Sequence, residues 1–395
     1  MGVDSDSGHP QLVARDQWAL PTTSVHRTLR DALADVFARV RAPDWLQDER
    51  DANGESLQPL SDHQLARWAP SPDWRRGLAG FADGLDQWRN RWRDSQPVTF
   101  LVAPPFSGVT RALEALAEDR QWRLIQPPPG GSIHRGEDLQ AWWAQFEGDE
   151  PWVLPELGHC WLRTPGGLAL VRRLLGAATE GSLGPGIVAA SSWCWTFWNH
   201  LMPELRVPVI TAQAFDSERL GQWLTTLEND TRPRFHLTTD DSLVAAPDGE
   251  GESGFLRDLA AWSRGLPEVA WAVWRRALRA RPEDKAATAD ASGATDNGER
   301  CWVVPWSQLT LPALPPGESR PLAFVLHALL LHQGLDESTL QPVTGLGDDD
   351  IQLALHSLRR AELVEPHPRG WFVSAGGYPA VRRYLQSEGF AVDGF

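Results

Sequence analysis

Between Val98 and Leu227 the chain alternates short, wholly apolar runs with stretches of helical period, and few folds accept that pattern. The runs are VTFLVA (98–103), Trp122 to Ile125, Trp152 to Leu154, GIVAA (186–190) and VPVI (207–210). Apolar side chains at successive positions suit a strand buried on both faces, whereas a half-exposed strand would alternate with polar residues. Between these runs lie helical segments at Thr110 to Glu118, LQAWWAQF (139–146), Leu168 to Leu175 and SERLGQWLTTL (217–227), the last with Ser217 as its expected cap. Parallel strands need crossovers of a dozen or more residues, usually helical. The spacing therefore predicts an α/β protein with a parallel sheet covered on both sides.

The flanking regions divide the rest. Residues 1–95 read as a helical N-terminal region. One helix carries Val25, Leu29, Leu33, Val36, Phe37 and Val40; a loop follows from Gln47 to Ser61. A second helix after Pro72 bears the stripe Trp74, Leu78, Phe81, Leu85, Trp88 and Trp92, expected to pack on the neighbouring domain. The sheet domain occupies 96–230, and 231–320 reads as a helical lid with a mobile, small and polar loop at 282–300. Residues 321–395 give three helices, a hairpin at 363–374 and a last helix, the order of a winged helix.

Charge and thiols narrow the function. The formal net charge is −15, which repels phosphate backbones overall. Within 321–395 five arginines face nine acidic residues, and the third helix opens on Asp348, Asp349 and Asp350. Nucleic acid is therefore not the expected partner, and DNA reading through Arg359, Arg360 and Arg369 is the lesser alternative. Cys160, Cys194 and Cys301 form no CxxC pair, as expected of reduced thiols in a cytoplasmic protein. The set His159, Cys160, Cys194 and His200 matches no zinc spacing, and no metal is expected. No run reaches membrane-spanning length; the longest, Leu322 to Leu331, contains His327.

The loop after the first apolar run carries the chemistry. A phosphate loop follows GxxxxGK[ST], with backbone N–H groups around the phosphates, a lysine on the β/γ-phosphates and a hydroxyl on Mg²⁺. Here the segment reads Ala103-Pro104-Pro105-Phe106-Ser107-Gly108-Val109-Thr110. Gly108 and Thr110 match, Ala103 replaces the first glycine, and Val109 stands at the lysine position. The only lysine in the chain is Lys285, far downstream. Arg111 is adjacent but points about 100° away around a helix. Pro104 and Pro105 remove two N–H donors. The run Trp152-Val153-Leu154-Pro155-Glu156 resembles a Walker B strand, with Glu156 at the catalytic-base position and Pro155 where the Mg²⁺-supporting Asp belongs. Ser191 ends the next strand where a sensor residue would read the γ-phosphate, and Gly265-Leu266-Pro267 resembles the GLP motif of a lid.

In this order the motifs resemble those of STAND/AAA+ P-loop NTPases with a C-terminal winged helix, across residues 97–385. The resemblance implies a P-loop NTPase-like core, a helical lid and an ADP/ATP-controlled switch in signalling, transcription or phage defence. It implies a nucleotide site at Gly108, Thr110, Arg111, Glu156, Ser191 and Pro267, with Pro267 touching the nucleotide. The departures at Ala103, Val109 and Pro155 imply a pseudo-ATPase. Its Glu156 would be vestigial, it would need no cofactor, and it would act as a scaffold beside a protein partner such as an active paralogous ATPase or an effector. Two alternatives stand beside it: a switch that binds ATP or ADP with little hydrolysis, and a winged-helix DNA-binding regulator.

Overall fold

The structure is a computed structural model that describes residues 11–20, 56–76, 78–92, 96–135, 139–227, 234–244, 253–281, 300–315 and 319–395. The helix expected at 25–40 and nearly all of the loop expected at 282–300 lie outside them. In chain order the strands are β1 (Leu12–Ala14), β2 (Gln58–Pro59), β3 (Val98–Ala103), β4 (Arg123–Leu124), β5 (Trp152–Leu154), β6 (Gly186–Ser191), β7 (Val209–Ala212), β8 (Arg234–Leu237), β9 (Leu278–Ala280), β10 (Arg300–Val303), β11 (Val364–His367) and β12 (Gly370–Val373). The helices are α1 (Asp62–Trp68), α2 (Leu78–Trp92), α3 (Val109–Asp119), α4 (Gly130–Arg135), α5 (Gln140–Trp143), α6 (Pro165–Glu180), α7 (Ser192–Leu201), α8 (Ser217–Thr226), α9 (Gly254–Ser263), α10 (Pro267–Ala277), α11 (Ser319–His332), α12 (Glu337–Thr344), α13 (Asp348–Arg360) and α14 (Tyr378–Ser387).

Two compact units result. The larger takes in His9–Ala19, Trp74–Gln213 and Pro312–Phe395; the smaller includes the described parts of Leu20–Asp73 and Ala214–Leu311. The chain passes between them repeatedly, so the sequence boundaries at 95, 230 and 320 do not coincide with the units.

The larger unit is built on a six-stranded sheet in the order β1-β7-β3-β6-β5-β4. Strands β7, β3, β6, β5 and β4 run parallel, and β1 is added antiparallel to β7. Period-two alternation sends Phe100 and Val102 to one face with Trp195, Trp198 and Leu174. It sends Leu101 and Ala103 to the other with Phe81, Leu85, Leu113 and Leu116. Helices α6 and α7 thus cover one face, and α2 and α3 the other. Of the predicted stripe, Phe81 and Leu85 enter this core with Leu78 and Trp88 packed against it, and Trp88 donates to the Leu12 carbonyl at 3.4 Å, while Trp74 precedes the helix. Gly186 is required inside β6, because a Cβ there would collide with the Trp152 ring.

The C-terminal elements of this unit are α11, α12, α13, the antiparallel pair β11–β12 and α14, in the order the sequence predicts. Leu335 adds one antiparallel bridge to Trp371. Helix α11 is apolar around nearly its whole circumference, so it must be enclosed. It packs against α7, α13, α14 and the short 3-10 turn Leu157–Cys160.

The smaller unit corrects the expectation of an all-helical lid. Alongside α1, α8, α9 and α10 it holds a four-stranded sheet, β2-β9-β10-β8, with β8 and β10 parallel and β9 antiparallel to both neighbours. The N-terminal region is likewise not purely helical, since β1 and β2 come from it. Strands of two or three residues are too short to show a period, and Pro59 is tolerated in β2 because that strand lies at the sheet edge. The cap of α8 is Asp216, whose carboxylate accepts from the Arg219 N–H at 2.8 Å, and not Ser217 as predicted. Asp and Ser cap equally well, so the sequence left the choice to local geometry.

Candidate functional site

The carboxyl edge of a parallel sheet is where α/β folds bind ligands. In the register of β3 against β6, Ala103 pairs with Ser191, so the loop 104–108 and the start of α7 share that edge. Gly108 precedes α3 with φ +79, a left-handed conformation that glycine adopts without strain. Phe106 holds φ +67, which is strained for a side chain of its size.

The loop is covered. Pro104, Pro105, Ser107, Gly108 and Val109 are buried. A Cβ on Gly108 would collide with the indole ring of Trp74, which lies directly over the glycine. The Phe106 ring meets Tyr378 of α14 at 5.2 Å between centroids. The Tyr378 hydroxyl in turn accepts from Trp193 Nε1 at 3.0 Å. Aromatic side chains from α14, from α7 and from the segment before α2 therefore occupy the approach to the loop. In the sequence Trp193, Trp195 and Trp198 cluster just after the fourth apolar run, at the end of the sheet where ligands bind. The structure assigns Trp193 to this edge and Trp195 and Trp198 to the core, while Trp74 and Tyr378 carried no sequence signal for it.

Glu156 follows β5 and is 5% exposed. One carboxylate oxygen, Oε1, accepts from the Gly158 N–H at 2.8 Å and from the Ser191 N–H at 3.1 Å. It thus caps the 3-10 turn Leu157–Cys160 and ties the end of β5 to the end of β6. Burial pushes its carboxyl up to about 7, against the two N–H groups that favour the charged form. The Ser191 hydroxyl accepts from the Cys194 N–H at 3.2 Å as the N-cap of α7. Both residues are engaged in holding the chain.

The remaining predicted positions separate. Thr110 and Arg111 lie in the first turn of α3, and Val109 between them and Gly108 is buried. Pro267 belongs to the smaller unit, at the first position of α10. Its GLP motif has a local explanation. Arg264 and Gly265 take left-handed φ values of +56 and +70 to end α9. The Gly265 carbonyl accepts from the Phe215 N–H at 2.9 Å, and proline then starts the next helix.

Three histidines lie near the carboxyl edge of the larger unit. His159 Nε2 sits 3.0 Å from the Gln333 carbonyl. The His332 ring packs edge-on to Trp161 at 4.7 Å, and that of His327 lies 4.7 Å from Phe390. Burial pushes His159 and His327 down to about 4 and His332 to about 3, so all three are neutral at pH 7. Burial raises the Cys160 and Cys194 thiols, which keeps them unreactive. Among the described residues no three His, Cys, Asp or Glu side chains converge as a metal would require, and no helix is long and apolar enough to cross a membrane.

No protein-family model matches the sequence, and no curated protein matches it. Solved structures do show likeness. A mutant of RuvB from Thermotoga maritima is 12% identical, with a TM-score of 0.35 over 82% of this chain and 99% of that one. The Walker-type ATPase of Pyrococcus abyssi is 10% identical, with a TM-score of 0.29 over 83% and 98%. A signal transduction ATPase with numerous domains and a tetratricopeptide repeat sensor, from Pyrococcus horikoshii, is 10% identical, with a TM-score of 0.30 over 77% of this chain and 42% of that one. At such scores these likenesses carry no argument about chemistry. The observations above yield a mixed α/β protein whose parallel sheet has a strand–loop–helix unit at its carboxyl edge.

Proposed function

We propose that this chain is a P-loop-type module that has lost its nucleotide chemistry and serves as a scaffold or regulatory subunit for a protein partner. One observation carries the reading: the ring of Trp74 lies over Gly108, on the loop whose N–H groups would have to face phosphate. Backbone donors bind phosphate only if the anion can approach them, and an indole removes that approach. Three further features agree. Val109 is buried and uncharged where a lysine would reach the β/γ-phosphates, Pro155 has no carboxylate for Mg²⁺, and Glu156 is spent on the Gly158 and Ser191 N–H groups. Losing a transition-state charge of this kind commonly costs two to three orders of magnitude in rate.

The C-terminal elements are read as a winged helix turned to protein contact. The surface of α13 exposes the acidic triplet 348–350 together with Leu353, which is 68% exposed, a composition that suits a protein better than phosphates. The test is phosphate release from Mg²⁺-ATP by the purified chain and by Glu156→Gln. The expected rate for both is that of the buffer. Turnover that Glu156→Gln abolishes would overturn the reading in favour of an active ATPase.

A further inference from the structure

The last six residues lie back on the carboxyl edge of the sheet in a way the nucleotide question leaves unexplained. Helix α14 ends at Ser387, and Gly389, at φ +79, turns the chain back. Residues 390–395 form neither helix nor strand, yet three of them are anchored. The Phe390 ring stacks near His327 at 4.7 Å and Phe324 at 6.0 Å. Phe395 is 4% exposed and meets Trp18 edge-on at 5.2 Å, with the Arg15 guanidinium over its ring at 5.4 Å.

Between them the Asp393 carboxylate is fully buried. Its Oδ2 accepts from the Ser192 hydroxyl at the start of α7. Its Oδ1 accepts from Arg382 Nε at 3.2 Å and from an Arg382 terminal nitrogen at 3.0 Å. The same nitrogen donates to the carbonyls of Asp393 at 3.0 Å and Phe395 at 2.9 Å. Ser192 follows Ser191, whose N–H donates to Glu156, and Tyr378 of the same α14 covers Phe106. Residues 390–395 therefore fasten α14 over the edge that holds the loop 104–108.

We propose that residues 390–395 are a strap, with Asp393 as its catch, that keeps α14 closed over this edge and releases as a unit while the sheet stays folded. The physical ground is the nature of the anchor. Phe390 and Phe395 gain nothing on entering water, but the buried Asp393–Arg382 pair recovers the hydration of both charges, which lowers the cost of opening. The carboxylate also sits at the positive end of α7, which holds the catch while it is closed. Ala391 and Gly394 are exposed and Val392 only half-buried, so Phe390, Asp393 and Phe395 carry the anchoring. The proposal stands whether or not a nucleotide binds, so its failure would leave the reading of the filled loop intact.

Hydrogen exchange under native conditions tests it, on the full chain and on Asp393→Ala and Asp393→Asn. In the full chain, the amides of α14 and of Trp193 and Cys194 should open at denaturant concentrations that leave Phe100 to Val102 of β3 protected. Asp393→Ala should speed exchange in α14 at least tenfold with no change in β3, and Asp393→Asn should speed it less. Equal acceleration in α14 and β3, or none in either, would overturn the strap. If neither variant folds, the denaturant series on the full chain decides alone: α14 amides that exchange only together with β3 refute it.

Discussion

Two glycine turns, 104–108 in the larger unit and 264–267 in the smaller, look alike in the sequence as pieces of a nucleotide site. In both, the glycine takes a left-handed φ, +79 at Gly108 and +70 at Gly265, and in both a Cβ would collide with the chain itself. The difference is what fills the space. At Gly265 it is the backbone of Phe215, from the segment just before α8. At Gly108 it is the side chain of Trp74, brought from before α2. The glycine at 265 is demanded by a backbone that cannot be trimmed away, while the one at 108 lies under a removable side chain. A motif glycine is thus no evidence of a ligand until the atoms beside it are known.

The largest expected effect breaks the turn at 264–267. Gly265→Ala forces a left-handed alanine into the Phe215 backbone and should cost roughly 2–4 kcal/mol, read as a lowered midpoint in urea unfolding. No side-chain truncation can relieve it. Gly108→Ala should also destabilise, by roughly 1–3 kcal/mol. In a Trp74→Ala background that cost should shrink to about the 1 kcal/mol of an alanine at positive φ. A double-mutant cycle measures the coupling, and strict additivity would show that Trp74 does not press on the loop.

A further effect concerns pH. His159, His327 and His332 are held well below their ordinary 6.5, so the unfolded chain binds more protons than the folded one as pH falls below 6.5. Their contribution to stability is lost in that direction. Glu156 is raised from 4.5 to about 7, so its folded form holds the extra proton and its contribution is lost as pH rises through that range. Three groups oppose one, and stability should fall from pH 6.5 to 4.5. Glu156→Gln should make that fall steeper, by up to about 1.4 kcal/mol per pH unit for the proton removed. Urea midpoints of both proteins across this range check the sign. The smallest effect is expected at Arg359→Ala and Arg360→Ala, which should leave retention on DNA at low salt unchanged if the C-terminal elements serve protein contact.

The sheet was legible because its strands are buried on both faces and read as unbroken apolar runs such as VTFLVA. The helices of the C-terminal elements were legible from their period. The short strands β1, β2 and β9 were not, because two or three residues show no period and their pairing partners are distant. At the candidate site the sequence shows Val109 and Pro155 where the proposed reading needs a lysine and a carboxylate. It could not reveal what filled the space, because Trp74, Tyr378 and Asp393 reach the edge only through tertiary contacts. The role of Glu156 was hidden for the same reason, since the Ser191 N–H it accepts lies one strand away.

The central claim is that the chain's own side chains occupy the phosphate-loop equivalent. Calorimetric titration of Mg²⁺-ATP and Mg²⁺-ADP into the unmodified chain tests it most directly, with Trp74→Ala and Trp74→Ala/Val109→Lys measured alongside. The account predicts no saturable heat for the unmodified chain or for Trp74→Ala, with any binding confined to the double variant, where the cover is gone and a charge is restored. Saturable binding of either nucleotide by the unmodified chain, with Trp74 in place, would contradict it.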